Sequence, residues 1–394
     1  MIELLFFIFA GCLLGTLTGM VPGIHVNTMS ALILLFAFAA GPDGIALIVA
    51  MGVTHSFMDF IPSIVLGAPD SESFLAVLPG HRYLLRGKGF RALSLTVTGG
   101  LVGGILALAL SPFFLLFISR IEFLLPAIIP LVLAAVLASM LFSEKGRRGS
   151  AALVLALSGL LGTIVLRAGT IPNPLVPLII GFFAVATLLH SLRKKPLLRE
   201  QEVERESVGA GDALQGSFLS VMAGSTVSLM PSIGPAQAAF LVKKVMGKMR
   251  TEQYLVLLGG INTVNLIFSF FVLFALGKTR TGVAAAIREI VVLKEAHLAL
   301  ISGAVLIAMC FSVFAALFLG RALLKRIASI PYRALNLSVL GFLFPLVLFL
   351  SGFLGVIATA ASAAIGYYCI ASGIRRTNCM AFLMVPTVII YLGF

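Results

Sequence analysis

Charged side chains are scarce in this sequence. Only 11% of its 394 residues are charged, whereas 60% are hydrophobic, and the mean hydropathy is +1.13. A soluble fold has too little interior to bury so much apolar surface, so a soluble domain is excluded. Several apolar runs approach the roughly 17 to 25 residues with which a helix crosses about 30 Å of hydrocarbon. The composition therefore predicts an all-α polytopic membrane protein.

The motifs of common enzymes and metal sites are also missing. No H-E-x-x-H or G-x-S-x-G occurs, and Gly277-Lys278-Thr279 resembles the end of a phosphate loop but has Val272 where that loop needs glycine. The four cysteines show no C-x-x-C spacing, which argues against a disulfide framework and against a metal centre. We therefore expect no enzymatic activity, no cofactor and no metal.

Two segments, 209 positions apart, share one unusual pattern. In residues 15–24 and again in residues 224–233, an apolar helix meets a stretch of small and hydroxyl residues that is broken by proline. Such breaks free backbone groups that hydrocarbon cannot satisfy. Paired breaks at equivalent places in two halves of a membrane protein point to the substrate site of a transporter.

The polar stretch 193–212 divides the chain into two halves, 1–192 and 213–394, which carry the same sequence of segments. Each half is predicted to hold five spans and one two-armed hairpin, with a polar excursion after the first span. The predicted arms are 3–20, 24–41, 213–230 and 233–247, the excursions 67–89 and 278–295, and the spans 44–66, 91–118, 122–143, 150–167, 174–192, 253–277, 296–320, 334–350, 353–374 and 378–394. An odd number of crossings per half predicts two inverted-topology repeats with about ten transmembrane helices.

The distribution of positive charge gives this layout an orientation. Basic clusters at 82–91, 145–148, 193–205, 243–250, 321–333 and 375–376 all fall on one side, which the positive-inside rule makes the cytoplasm. This explains the formal net charge of +13 without a nucleic-acid partner. We expect a multi-pass protein of the plasma membrane with the 193–212 linker in the cytoplasm and both termini outside.

The polar residues of the two breaks are the predicted substrate site. Broken helices aim free N–H groups at anions and free carbonyls at cations. The members are Thr18, Gly19, Pro22, Gly23, His25, Asn27 and Thr28 in the first break, and Ser225, Thr226, Ser228, Pro231, Ser232, Gly234 and Gln237 in the second. The alternative is a pair of kinks that allow close packing, with the hydroxyls bonded to their own helices. Recurrence at equivalent positions favours the substrate site.

Ionisable residues inside or beside the spans are the predicted coupling site. His55 and Asp59 stand four residues apart on one face of an apolar span, where such a pair can relay a proton or hold a cation. Their counterparts in the second half are Asn262 and Asn265. The alternative is an ion pair that only fixes packing.

The two excursions carry opposite charge. The first is acidic, with Asp70 and Glu72, and is assigned to the coupling ion; the second is basic, with Lys278 and Arg280, and is assigned to an anionic substrate. The alternative is that both are solvated loops.

The first half also resembles a known family. The residues that carry the likeness are Gly15-x-x-x-Gly19-x-x-Pro22-Gly23, Ser63-Ile64-Val65-Leu66-Gly67-Ala68-Pro69, Pro79-Gly80-His81-Arg82 and Gly99-Gly100. They resemble the large membrane subunit of tripartite tricarboxylate transporters, the TctA family, and especially its shorter archaeal relatives. The first break departs from the family's usual P-G-L-G-P, because it reads Pro22-Gly23-Ile24-His25-Val26. The resemblance implies an inverted-repeat carrier that takes a carboxylate with a coupling ion.

We therefore expect a secondary-active transporter of a small organic anion, coupled to H⁺ or Na⁺, that works by alternating access. A polyprenyl-phosphate translocase is the alternative, because such translocases also carry a broken P-G-hydrophobic segment, and a scaffold protein is a third reading. The expected partners are the anion or a lipid phosphate together with membrane lipid. A homodimer and an accessory subunit or binding protein are left open.

Overall fold

The computed structural model describes residues 2–21, 30, 41–65, 77–192, 199–203, 208–327, 329 and 331–393. The regular secondary structure of these residues is entirely helical. Eight helical stretches among them are long and apolar enough to cross a membrane. The prediction of an all-α polytopic membrane protein is confirmed.

The helices of the first half follow the chain as α1 to α8. A short 3₁₀ turn at Glu122–Leu124 separates α5 from α6, and a π-helical segment at Ile180–Val185 lies inside α8. The bounds are α1 Ile2–Met20, α2 Gly41–Met58, α3 Phe60–Val65, α4 Val77–Leu85, α5 Gly89–Ile121, α6 Leu125–Phe142, α7 Arg148–Arg167 and α8 Leu175–Leu192.

The helices of the second half are α9 to α15. A 3₁₀ turn at Arg376–Met380 precedes the last of them. The bounds are α9 Ala210–Leu229, α10 Pro235–Met246, α11 Thr251–Leu276, α12 Gly282–Ile290, α13 Glu295–Ile327, α14 Tyr332–Ala371 and α15 Ala381–Tyr391.

Corresponding helices of the two halves have similar lengths. The long helices α5 and α13 have 33 residues each, and the short helices α4 and α12 have nine each. Both short helices lie in excursions that the sequence pattern left without regular structure. Their short amphipathic sequences are not long enough to carry a span signal.

The predicted number of spans differs from the eight stretches found in the described residues. Two of the stretches contain a break. The stretch 89–142 is divided by the 3₁₀ turn. Helix α14 is kinked at Gly352, which has a φ of +67° and lies between the predicted spans 334–350 and 353–374. Helix α1, predicted as a hairpin arm, is long enough to span, whereas α15 has only 11 residues. Length alone therefore does not separate arms from spans here.

The centre of the molecule is formed by α2 and α11, which are buried along their length. Small residues let the neighbouring helices approach them closely, as is typical of membrane proteins. Helix α1 packs on α2 through Gly11, Gly15 and Gly19, and α9 packs on α11 through Gly216, Ser220 and Gly224. The two halves thus build their centres in the same way.

The long helix α5 crosses α11 at a contact between glycines. A Cβ on Gly99 would overlap the carbonyl oxygen of Val256, and a Cβ on Gly259 would overlap the carbonyl oxygen of Thr96. Since backbone meets backbone here, neither partner can move away as a side chain could. This crossing fixes α11 of the second half against α5 of the first.

Candidate functional site

Asp59 lies in the break between α2 and α3. Its side chain is 3% exposed, and its backbone N–H still donates to the carbonyl of His55 across 3.0 Å. The helix is interrupted here because Pro62 has no N–H to give to the preceding turn. The hydroxyl of Ser63 donates to the Asp59 carbonyl across 2.7 Å. A carboxylate is therefore fixed at the centre of the molecule.

Asn262 of α11 faces this carboxylate. Its Nδ2 donates to Asp59 Oδ2 and to the carbonyl of Ser56, both across 3.3 Å. Its Oδ1 is buried and has no hydrogen-bond partner among the described residues. A carboxylate next to an unused amide oxygen is an oxygen-rich environment, which suits a hard cation or a proton.

His55 lies one turn before Asp59 and connects it to the first helix. Its Nδ1 is 3.1 Å from the hydroxyl of Thr18, which also donates to the carbonyl of Gly15 across 3.2 Å. Both side chains are buried. The structure therefore pairs His55 with Thr18 and Asp59 with Asn262, and the backbone hydrogen bond from Asp59 to His55 connects the two pairs. We name these four residues the central polar network.

Two more hydroxyl pairs extend this network across the core. Ser56 and Thr263 lie 3.3 Å apart between α2 and α11, and the hydroxyl of Ser312 donates to that of Thr54 across 3.1 Å between α13 and α2. The sequence patterns did not identify Thr54, Ser56, Thr263 or Ser312 as a set. Their spacing follows helix faces that come together only in the fold.

The helices α1 and α9, which were predicted as the first arms of the two hairpins, lie against this network. A Cβ on Gly19 would come within 3.2 Å of the Asp59 backbone nitrogen, and a Cβ on Gly224 within 3.2 Å of the Asn265 backbone nitrogen. Gly15 makes the same kind of contact one turn earlier on α1, since a Cβ there would come within 3.1 Å of the His55 backbone nitrogen. Both helices thus approach the backbone of the central helices closely beside polar residues.

The second break is a tight connection between α9 and α10. After α9 ends at Leu229, Met230 is extended, and Ser232 has a φ of +63°, which is unusual for a residue other than glycine. The Ser232 hydroxyl hydrogen-bonds to that of Thr387 on α15. Thr387 is a site residue that the sequence analysis missed, although it is a polar residue after a proline in an otherwise apolar helix.

The N-terminus of α10 presents hydrogen-bond donors at this break. Gln237 Oε1 accepts from the backbone N–H of Gly234 across 2.9 Å, which orients the Gln237 side chain. Its Nε2 is buried without a hydrogen-bond partner in the described part of the chain. The backbone N–H groups of Gln237 and Ala238 donate to the carbonyl of Gly234 across 3.1 and 3.2 Å, and Pro235 has no N–H, so this terminus offers the buried Nε2 and the positive end of the helix dipole. Such an end attracts an anion.

The hydroxyls of the other predicted residues on α9 bond to their own helix. Ser225 and Thr226 both donate to the carbonyl of Met222 across 2.9 Å, and Ser228 donates to that of Ser225 across 2.7 Å. Thr226 is exposed, whereas Ser228 is completely buried. Pro231 is partly exposed beside them.

The basic residues of the second excursion contact other segments. Lys278 Nζ is 3.5 Å from Glu122 Oε1, and both side chains are about half exposed. Arg280 lies beside Tyr391 at the end of α15, and burial lowers its pKa, an effect that Tyr391 partly offsets. The positive charge of Lys278 is thus already balanced by an acid.

The remaining predicted site residues lie outside the described residues. They are Pro22, Gly23, His25, Asn27, Thr28, Asp70 and Glu72. The predicted contact between the two hairpin tips involves residues 22–28, so it stays a prediction.

Comparison with known proteins identifies the chain's relatives. The model of the tripartite tricarboxylate transporter TctA family matches residues 5–381. An uncharacterized protein of Methanocaldococcus jannaschii is 28% identical over 410 aligned positions, which cover 100% of both chains. No solved structure matches.

Proposed function

Because the chain belongs to the tripartite tricarboxylate transporter TctA family, we propose that it is a secondary-active transporter of a small organic anion such as a carboxylate. The family is one of transporters rather than of enzymes. We propose the substrate class within that family, the coupling ion and the site from the two predicted hairpins and the central polar network.

The observation that carries the proposal is the N-terminus of α10. The buried Nε2 of Gln237 offers a donor at the positive end of the helix dipole, and no acidic side chain lies in the first turn. The left-handed conformation of Ser232 brings its hydroxyl to Thr387. Strained residues of this kind cluster at ligand sites. The substrate carboxylate would take the place that these donors surround.

Coupling is assigned to Asp59 with Asn262. The carboxylate lies beside the first arm of one hairpin, and α11, which carries Asn262, packs on the first arm of the other. A cation or proton at Asp59 would therefore affect the packing of both hairpins. H⁺ and Na⁺ both fit an oxygen-rich site of this kind, and transport is proposed to use one of them.

The two halves are proposed to be inverted repeats that rock against each other. The similar lengths of corresponding helices and the similar glycine contacts of α1 and α9 support this reading. The 193–212 linker and the basic loops would then face the cytoplasm. The family name indicates a tripartite system, so accessory subunits are proposed partners, and a homodimer is a further possibility.

Uptake into proteoliposomes tests the proposal. Purified protein should accumulate radiolabelled di- or tricarboxylates when a proton or sodium gradient is imposed, and it should not do so when an ionophore removes that gradient. Gln237→Leu should abolish uptake, whereas Gln215→Leu, at the other end of the same hairpin, should leave it intact. Transfer of a polyprenyl phosphate in place of any carboxylate would overturn the proposal in favour of the lipid translocase.

A further inference from the structure

A cluster of cations forms at the end of α10 that lies away from the hairpin tip. Its members are Arg82 of α4, Lys243 of the last turn of α10, and Arg375 of the turn before α15. Nine residues of helix separate Lys243 from Gly234, which is roughly 13 Å at 1.5 Å per residue. We name these three residues the basic cluster. It is distinct from the break at which the substrate site is proposed.

Two aromatic rings on neighbouring helices hold the cluster together. Lys243 Nζ lies 4.6 Å from the centroid of the Tyr254 ring, and Arg375 Cζ lies 5.3 Å from that of Phe240. Phe240 and Lys243 are three residues apart on α10 and therefore share one face. The rings offset part of the cost of bringing like charges together.

The charges of the cluster interact electrostatically. The pKa of Lys243 is lowered, first by burial and then by the positive charges of Arg375 and Arg82. Glu144 is the carboxylate in contact with Arg375 among the described residues, with 3.8 Å to its Nε and 3.1 Å to its backbone nitrogen. In the described part of the chain, three cations with one contacting carboxylate leave positive charge that a ligand could neutralise.

The positive-inside rule alone does not explain this convergence. That rule requires only that basic residues lie in loops on one side of the membrane. Arg250 satisfies the rule and forms a simple ion pair with Asp212 at 3.2 Å. Lys248 also satisfies the rule and is an exposed residue of the same loop. Arg82, Lys243 and Arg375 are exposed too, but they come from segments far apart in the chain, and Lys243 and Arg375 lie over the rings of Tyr254 and Phe240.

We propose that the basic cluster binds an oxyanion with two or more negative charges. Arg82 and Arg375 would supply guanidinium forks to its oxygens, and Lys243 would supply a point charge. A soluble polycarboxylate and a lipid phosphate headgroup share this chemistry. The site goes beyond the proposed transport function, since it requires binding of the anion and not its passage through the hairpins.

Thermal unfolding of the purified full-length chain in an uncharged detergent tests this proposal. Citrate is one ligand and a short-chain phosphatidic acid is the other, each compared with sodium chloride at the same ionic strength. A saturable rise in melting temperature with citrate alone would assign the site to a soluble anion, and a rise with the lipid alone would assign it to a headgroup. Either result supports an oxyanion site.

Matched variants locate the binding. Lys243→Gln and Arg82→Gln should each weaken it about tenfold, because each removes one charge-assisted contact. Lys243→Arg and the control Lys248→Gln should bind as the unchanged protein does. Without ligand, Lys243→Gln and Arg82→Gln should melt no lower than the unchanged protein, since they remove repulsion.

Three results would overturn the proposal. The first is that neither ligand raises the melting temperature more than sodium chloride does. The second is that Lys248→Gln weakens binding as much as Lys243→Gln does. The third is that citrate no longer stabilises Gln237→Leu but still stabilises Lys243→Gln. The last result would assign citrate binding to the hairpin break. Conversely, a Gln237→Leu variant that cannot transport but still binds citrate would show that the basic cluster binds the anion independently of the hairpin break.

Discussion

The amide nitrogen of Asn262 donates to the carboxylate of Asp59 across 3.3 Å at the centre of the molecule. The two residues come from different halves of the chain and are 203 positions apart. Both side chains are almost completely buried. A buried carboxylate is costly unless it is hydrogen-bonded, paired or protonated. The contact therefore connects the ionisation of Asp59 to the packing between the two halves.

The Asp59→Asn variant should separate coupling from transport. An amide has nearly the same shape as a carboxylate, and its oxygen can still accept from Asn262, so the protein should insert and bind substrate. It should no longer concentrate substrate against a gradient, because it cannot bind or release the coupling ion. Exchange of substrate at equilibrium should persist. Uptake and exchange in proteoliposomes measure the two activities.

Asp43→Asn is the matched control, since Asp43 lies in the first turn of the same helix, away from the network. Its uptake should be normal. If Asp59→Asn still accumulates substrate, or only lowers the melting temperature, the carboxylate is structural.

Removal of the Asn262 amide should weaken the binding of the coupling ion. Hydrogen bonds to charged groups contribute about 1.5 to 3 kcal/mol, so Asn262→Ala should raise the ion concentration needed for half-maximal uptake by roughly tenfold or more. Combined with Asp59→Asn, the change should add almost nothing further, because the two residues act as a pair. Additive effects in the double variant would contradict their joint role.

The sequence predicted the positions of most helices because long apolar runs leave few alternatives in a membrane. It also marked Thr18, His55, Asp59 and Asn262 as candidate site residues, because polar residues in apolar spans are rare. It could not predict that Thr18 pairs with His55 and Asn262 with Asp59, since these contacts depend on how α1, α2 and α11 cross.

Other features carried weaker signals. Thr387 is a single hydroxyl near the end of the chain, and its partner Ser232 is recognised only from a backbone angle. The short helices α4 and α12 are too brief to show a clear period. The basic cluster was assigned to orientation alone, because nothing in the sequence relates Arg82 and Arg375 to Lys243.

Alanine at either glycine of the α5–α11 crossing should destabilise the protein. A Cβ on Gly99 or on Gly259 would overlap a backbone carbonyl of the facing helix, so the helices must move apart. Overpacking of this kind costs about 1 to 3 kcal/mol. Gly303→Ala on α13 is the control, because a Cβ there meets open space. Equal melting temperatures for Gly99→Ala and Gly303→Ala would show that the crossing is not tightly packed.

Changes at the second break should affect stability and transport in opposite directions. Ser232→Gly removes the strain of a positive φ, which costs a residue other than glycine about 1 kcal/mol, so the melting temperature should rise or stay unchanged. It also removes the hydroxyl that contacts Thr387, so transport should fall. Thr387→Val should lower transport without the gain in stability. Normal transport in both variants would place the substrate away from this break.

The alkaline stability of the protein should depend on Tyr83, whose hydroxyl donates to Glu252 across 2.7 Å and connects α4 to the start of α11. Burial, followed by this hydrogen bond, raises the pKa of Tyr83 to about 12. The unfolded chain loses the phenol proton near pH 10, so between these values it binds fewer protons than the folded protein, and the contribution of Tyr83 to stability falls as the pH rises.

Tyr83→Phe should therefore melt below the unchanged protein at pH 8, by an amount equivalent to no more than about 1.5 kcal/mol because both partners are partly exposed. The two melting curves should converge as the pH approaches 12. A constant difference between Tyr83→Phe and the unchanged protein up to pH 12 would mean that the contact holds α4 by shape alone, without dependence on the phenol proton.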